Sequence, residues 1–418
     1  MTGAPGAGGL GGAGSAGRPA RPEPVPPGRD LPSDAAPAPR DSRGLLLAAL
    51  RREDGRTQVE LCRATGLSPA TVSTAVAALA AEGLVRVSPT TRSGRRATQV
   101  QLAPSGALVG VHCYLDEVRV VLDTGDGAPV EAAIPLPPVP GAGQQRAEHA
   151  VRAARALLDR VLRETGTHPA SVAAVGAGVP APVEVRTGRV AGAGVRAGWG
   201  GMVAAPALLA PSPGVPVLFD NDGNLGALAE ARLGAGRGRW SVVHVALGEG
   251  VSGGVVVGGE VVHGRTGTAG ELGHLTIDPD GPVCSCGNRG CLQVLAGASA
   301  VLDLLAASHG RLTVPELLAQ AAAGDPGCRR VLSDVGRHLG TALASVCTVL
   351  DPDVLVVGGA LAGAGDVLLD PLREVLAERT AVTAGAVVEV VAGRLGVGAP
   401  ARGALLLARD AALGGVTG

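Results

Sequence analysis

The stretch from His274 to Cys291, His-Leu-Thr-Ile-Asp-Pro-Asp-Gly-Pro-Val-Cys-Ser-Cys-Gly-Asn-Arg-Gly-Cys, constrains this chain more than any other. It sets one imidazole and three thiols, His274, Cys284, Cys286 and Cys291, close together along the chain. Three thiolates and an imidazole close a tetrahedral zinc site with no open position, so the expected ion is structural zinc. The alternative is a loop with three unligated thiols. Gly287 and Gly290 let the backbone fold tightly around an ion. The seven cysteines of the chain are an odd number, and three of them fall in this one run. That distribution fits metal ligation in a reducing compartment rather than a disulfide framework, and the expected location is cytoplasmic. Cys62, Cys113, Cys328 and Cys347 stand in apolar contexts and read as packed core thiols.

Composition narrows the chemistry around that loop. Apolar residues are 46% of the 418, mostly Ala, Val and Leu, enough for a sizeable core. Aromatics number four, Tyr114, Trp199, Phe219 and Trp240, which argues against a site built on base stacking or an aromatic cage. All 36 basic residues are Arg, so chemistry needing a Lys Schiff base or a phosphate-loop Lys is excluded. No apolar run reaches the ~18 residues of a membrane span, and no secretory signal is expected.

Residues 1–40, rich in Gly, Ala and Pro, read as a disordered, solvated tail. Residues 41–102 read as three helices and a β-ribbon. The first helix is Arg43–Arg52; the second opens on a Thr57-x-x-Glu60 capping box and breaks at Gly66. The third opens on Ser68-Pro69 and runs to about Glu82, with Val72, Val76 and Leu79 at core spacing. Strands are expected at Leu84–Ser88 and Thr98–Leu102, joined by a loop. This order describes a winged helix-turn-helix, with a plain three-helix bundle as the alternative. Ser68, Ala70, Thr71, Ser73 and Thr74 would then approach DNA, and Arg92, Arg95 and Arg96 at the ribbon tip would meet phosphate. The segment carries nine Arg against five acids, whereas residues 103–418 carry 23 Arg against 29 acids. A basic segment on an acidic body is the asymmetry expected of a double-stranded DNA-binding module.

Beyond residue 102, Val-rich runs alternate with helical stretches, which implies an α/β architecture. Strands are expected at 107–113, 117–123, 171–177, 215–219, 241–247, 252–257, 353–357 and 387–391. Helices are expected at 145–163, 223–232, 297–307, 329–349, 366–378 and 402–413. The run Phe219-Asp-Asn-Asp-Gly-Asn224 ends a strand in acidic and amide groups, where α/β sheets present ligands. Asp222 can take a proton from a hydroxyl and Asn221 can bind two neighbouring hydroxyls; the alternative is that Asp220 and Asn221 only cap the next helix. Two Gly-rich turns, Gly248-Glu-Gly-Val-Ser-Gly-Gly254 and Val357-Gly-Gly-Ala-Leu-Ala-Gly363, are weak phosphate-cradle signals in a chain with 66 Gly. Glu249 sets a negative charge where a phosphate would sit.

Together these residues resemble the ROK family of repressors and sugar kinases, over roughly 41–418. The resemblance rests on the helix-turn-helix and the zinc run, joined by Gly178-Val-Pro-Ala-Pro, Gly198-Trp199 and Asp220-Asn-Asp-Gly-Asn. Ala269-Gly-Glu-Leu-Gly-His274 and Asp351-Pro-Asp-Val-Leu-Val-Val-Gly-Gly359 complete it. It implies a two-lobed, actin-like sugar-kinase fold, with lobe 1 at about 103–219 plus 400–418 and lobe 2 at about 220–399. It also implies that Asn221, Asp222, Glu271, His274 and the position of Gln293 line a sugar pocket, Asp222 at the place of the kinase's general base. His274 would bind zinc through one ring nitrogen and meet a hydroxyl through the other.

Three departures stand out. The kinases' Asp-x-Gly-Gly-Thr phosphate loop reads Gly110-Val-His-Cys-Tyr-Leu-Asp116, their Gly-Thr-Gly loop reads Gly248-Glu-Gly250, and their Gly-Cys-Leu-Glu ends in Gln293. Bulky side chains and an added carboxylate oppose a triphosphate and its Mg²⁺. The expected function is a DNA-binding repressor that senses a sugar or sugar phosphate, acting as a homodimer or homotetramer, with kinase activity lost. Two other readings stay open: an ATP-dependent sugar kinase with a regulatory N-terminal module, and a regulator answering to a protein partner.

Overall fold

The computed structural model describes residues 41–414 apart from 93, 104–105, 115, 138–142, 186, 191–198, 200–204 and 381–387. The expected tail at 1–40, Gly198 and the side chain of Arg95 lie outside the described residues.

The N-terminal module forms as its local signals dictate. Helix α1 (Ser42–Arg52) starts where the Asp41 carboxylate accepts from the Gly44 N–H at 2.7 Å. A two-residue strand, β1 (Arg56–Thr57), leads into α2 (Gln58–Thr65), whose capping box is complete: Thr57 and Glu60 each accept from the other's backbone. Gly66, at φ 71°, ends it in the left-handed conformation that glycine adopts at low cost. Helix α3 (Pro69–Ala81) opens on the Ser68 cap. Leu46, Leu50, Leu61, Val72, Val76 and Leu79 close one apolar core beneath the three helices.

The ribbon is longer than expected. Strands β2 (Val85–Arg92) and β3 (Arg95–Leu102) stay paired from Val85↔Leu102 to Arg92↔Arg95, so the stretch read as a loop is strand. Pro89 is tolerated because β2 is an edge strand, with β1 added on the far side of β3. Gly94, at φ 75°, supplies the positive φ of the tight turn.

The body holds two five-stranded sheets. The first comprises β4 (Ala107–Cys113), β5 (Glu117–Asp123), β6 (Val130–Pro135), β7 (Val172–Val179) and β8 (Val217–Asn221). The second comprises β9 (Ser241–Leu247), β10 (Val251–Val257), β11 (Glu260–Val261), β12 (Val354–Gly358) and β13 (Glu389–Ala392). Counted within each sheet, both run 3-2-1-4-5: an antiparallel meander on one side, parallel strands on the other. One topology is used twice, and the parallel strands of both sheets present their carboxyl ends, where α/β sheets build ligand sites.

The longer helices among the described residues are α4 (Gly143–Glu164), α5 (Asp222–Arg232), α6 (Ala298–His309), α7 (Val314–Ala322), α8 (Pro326–Leu350), α9 (Asp366–Arg379) and α10 (Ala399–Ala412). Helix α4 covers the outer face of the first sheet, and α6 to α9 that of the second. Helices α5 and α10 pack against each other between the sheets. Glycine makes this possible: a Cβ on Gly176 would run into the Ala404 carbonyl, and one on Gly403 into the Leu225 carbonyl. Every residue of α5 is buried.

Some boundaries move for local reasons. The strand expected at 215–219 lies at 217–221, because Pro216 has no N–H to offer and the acidic run itself completes the ladder. Helix α8 starts at Pro326 rather than 329, since Asp325 caps it and Pro suits the first turn. No single helix among the described residues is long and apolar enough to cross a membrane.

Candidate functional site

A cavity of about 630 Å³ opens between the carboxyl edges of the two sheets. Asn221, Asp222, Glu271, His274 and Gln293 all line it, so the structure brings the sequence-derived pocket residues together. They arrive from three places: the β8–α5 junction, the loop before the cysteine run, and the residue that follows Cys291-Leu292.

The β8–α5 junction divides its polar groups by role. Asn221 is the N-cap of α5: its side-chain oxygen accepts from Gly223 N at 2.9 Å and Asn224 N at 3.2 Å. The capping alternative therefore holds for this oxygen, and the amide NH₂ is left for a ligand. Asp220 does not line the cavity; it accepts from Asn221 N at 2.7 Å and Asn224 Nδ2 at 3.1 Å, and faces His263 Nε2 at 2.7 Å. It clasps the strand end to the 263 loop. Asp222, the first residue of α5, is 5% exposed and sits in the favourable field of the helix N-terminus. Its Oδ2 lies 3.6 Å from His112 Nε2, which is buried without a hydrogen-bond partner.

The second wall is set by the cysteine loop. His274 Nδ1 lies 3.6 Å from Cys284 Sγ, and its Nε2 lies 3.8 Å from Glu271 Oε2. One face of the ring thus looks at the thiols and the other at the cavity. Burial, and then the charge of Asp222, push the Glu271 carboxyl up to about 7. Donor atoms of His274, Cys284, Cys286 and Cys291 all lie within 4.8 Å of one another, with Cys286 and Cys291 Sγ 3.6 Å apart. Tetrahedral ligands at ~2.3 Å from an ion stand roughly 3.8 Å apart, so this donor set fits a metal. Gly287 takes φ 97° and Gly290 φ 56°, and a Cβ on Gly290 would strike the Asp278 carbonyl.

The far end of the cavity differs. Tyr114, just past β4, reaches the turn between β9 and β10, where its phenol meets the backbone of Gly250. Burial and the charges of Asp222, Glu249 and Asp116 all raise its pKa, and all four residues line the same cavity. Gln293 packs on the same turn, its Oε1 3.2 Å from where a Gly250 Cβ would stand. His244 is fully buried under the cavity; burial outweighs the nearby Glu230 and Asp222 and brings it down to about 4, so it is neutral. The sequence marked the run holding His112 and Tyr114, and Glu249, as departures, but His244 carried no local signal: it is one imidazole in an apolar strand.

On the N-terminal module, Ser68, Ala70, Ser73 and Thr74 are exposed along the start of α3, and Thr71 is half-buried. The Ser68 hydroxyl is engaged in the cap, 2.8 Å from Thr71 Oγ1. Arg92 and Arg96 are exposed on the ribbon, and Arg92 lies 4.0 Å from Glu60 of α2.

This module is joined to the body by charge. Asp410 of α10 pairs with Arg232, the last residue of α5, at 2.7 Å and with Arg51 of α1 at 3.7 Å. Arg409 bridges Asp54 at 3.5 Å and Asp123 at 3.3 Å. The Arg52 guanidinium lies 4.8 Å from the centre of the Trp240 ring.

Comparison with known proteins gives the same division. The ROK family profile matches residues 144–411, and the MarR family profile matches 41–96. A glucokinase of Halalkalibacterium halodurans is 35% identical over 233 residues, covering 52% of this chain and 70% of that protein. A xylose repressor of Caldicellulosiruptor bescii is 25% identical over 341 residues, covering 78% of this chain and 84% of that protein. The crystal structure of a ROK family transcriptional regulator, a homolog of the E. coli MLC protein, superimposes with a TM-score of 0.68 at 24% identity, over 89% of this chain and 97% of that one. That likeness speaks for the fold.

Proposed function

The chain belongs to the ROK family, and from that premise we propose that it is a DNA-binding transcriptional repressor whose cleft senses a sugar and no longer phosphorylates it. The observation that carries this reading is one buried helix that joins the two sites. Helix α5 begins at Asp222 in the cavity and ends at Arg232, which meets Asp410, which faces Arg51 of the DNA module. Its 11 residues span about 16 Å. A close-packed helix moves as a body, so a ligand that shifts its first turn is felt at its last.

In this reading residues 41–102 are the DNA module, and two lobes, 103–219 with 400–418 and 220–399, enclose the sugar. The Asn221 amide NH₂ and the Asp222 carboxylate take adjacent hydroxyls; Glu271 and His274 take others from the opposite wall; Gln293 borders them. His274 Nδ1 and the thiolates of Cys284, Cys286 and Cys291 hold a structural zinc ion, which fixes the wall carrying Glu271. Asp222 keeps the place of a general base with no phosphoryl group to receive. On DNA, Ser73 and Thr74 approach base edges, and Arg92, Arg96 and Arg95 meet phosphates. A homodimer would present two such helices to two half-sites, in the cytoplasm. The xylose repressor relative makes pentoses, beside hexoses, the first sugars to try.

Sugar binding acts on DNA affinity through linkage: the change equals the difference in sugar affinity between DNA-bound and free states. Fluorescence anisotropy of the full-length protein on labelled DNA from its own promoter tests this. The expected result is specific binding in the range of ~10⁻⁸ M, shifted at least about 5-fold by one sugar. Arg232→Met should keep sugar binding but lose most of that shift. DNA binding indifferent to every sugar, or no specific DNA binding, would overturn the reading.

A further inference from the structure

We propose that the cavity selects an uncharged or positively charged sugar and rejects phosphate esters, because the arm where a phosphate would lie is an acidic subsite made by Asp116, Glu249 and Asp222 around Tyr114. This rests on the reading of the cavity as a sugar site and specifies the ligand's class.

The first observation is the charge of the walls. Asp116, Glu117, Asp222, Glu249 and Glu271 line the cavity, and among the described residues no Arg lines it. The chain has no Lys to supply instead. Asp222 forms the buried floor, and Asp116 and Glu249 stand at the exposed rim. An anion entering the arm therefore meets carboxylates at the rim and at the floor, with no Arg or Lys among the described lining residues to receive it.

The second observation is that two neutral anion-binding devices at the cavity are already engaged. A helix N-terminus binds phosphate through its first free N–H groups. At α5 those of Gly223 and Asn224 are spent on the Asn221 side chain, and Asp222 occupies the first position. A Gly-rich turn binds phosphate through backbone N–H groups, but the Gly248–Gly250 turn is met by the Tyr114 phenol and packed by Gln293. The imidazole beneath, His244, is neutral and fully buried. Beside these stands a phenol in a cavity lined by carboxylates, a surface that hydrogen-bonds hydroxyls and attracts an ammonium group.

The test is calorimetric titration of the full-length protein with glucose, xylose and N-acetylglucosamine, each beside its terminal phosphate ester, and with 6-amino-6-deoxyglucose. Whichever parent sugar binds, its ester should bind at least about 100-fold more weakly, and the amino sugar at least as tightly as glucose. The double variant Asp116→Asn, Glu249→Gln should narrow the gap between parent and ester about 10-fold; both residues lie at the rim, so the fold tolerates the change. An ester that binds as tightly as its parent overturns the acidic subsite and leaves the sugar sensor standing. Silence from every sugar, ester and amino sugar overturns the sensor and the subsite together.

Discussion

The two ends of the cavity are built on different support. At one end Asn221, Asp222, Glu271 and His274 are each oriented by something outside the cavity: a helix cap, a helix start and a loop gathered by three cysteines. At the other end stand Tyr114, Asp116 and Glu249, where the resemblance sets the small and hydroxyl residues of the kinases' phosphate loops. Sugar recognition and phosphoryl transfer therefore depend on separable parts of one fold. The first can persist when the second is lost, since its supports never involve the phosphates.

The hardest blow to the sugar end should come from the four-donor cluster beside it. Cys286→Ser removes one of four donors, so zinc content measured on the purified protein should fall from about one ion per chain to near zero. The loop at 274–293 should become sensitive to protease. Stoichiometric zinc in that variant would contradict the four-ligand set. Next, Asp222→Asn exchanges a charged acceptor for an amide at a buried position. Losing a charge-assisted hydrogen bond costs about 2–3 kcal/mol, or roughly 30- to 150-fold in sugar affinity by calorimetry. An unchanged affinity would remove Asp222 from the sugar site.

The DNA module serves as a control, distant from both ends. Arg92→Ala with Arg96→Ala should lower the salt slope of DNA binding by about 2, with sugar affinity unmoved. The smallest effect is expected behind the cavity floor, at His263. Burial disfavours its charged ring, but the hydrogen bond to Asp220 and the charges of Asp220 and Glu260 outweigh that and raise its pKa. A raised folded value means stability fully present below the unfolded value of about 6.5 and lost as pH rises through the folded one. His263→Gln should thus cost on the order of 1 kcal/mol at pH 5.5 and less at pH 8.5, read from thermal melts. An equal cost at both values would mean that packing, not charge, is what His263 contributes.

Much of this was legible wherever the cause is local. The Thr57–Glu60 box and the Ser68-Pro69 start act within a few residues and the His274–Cys291 run within one loop, and the structure brings each set together. Strand β6 was missed because Glu131 and two alanines interrupt its apolar pattern at a sheet edge. Helix α7 falls outside the expected helices, although Thr313 and Glu316 form a complete capping box and Pro315 sits in the first turn. The pair Arg232–Asp410 spans 178 positions, and no window of sequence contains it. Likewise the sequence shows that Tyr114 is wrong for a phosphate loop, but not that its phenol closes the second loop as well. Asn221 was ambiguous between cap and ligand because one side chain has two ends, and the structure commits its oxygen to the cap.

The central claim is that the cavity kept its sugar end and lost its triphosphate end. The most direct measurement is a calorimetric titration of MgATP into the full-length protein, alone and saturated with the sugar it binds. The account predicts no saturable heat in either case, beside a clear heat for the sugar. Saturable MgATP binding, above all if the sugar strengthens it, would contradict the account and restore the cavity to a kinase.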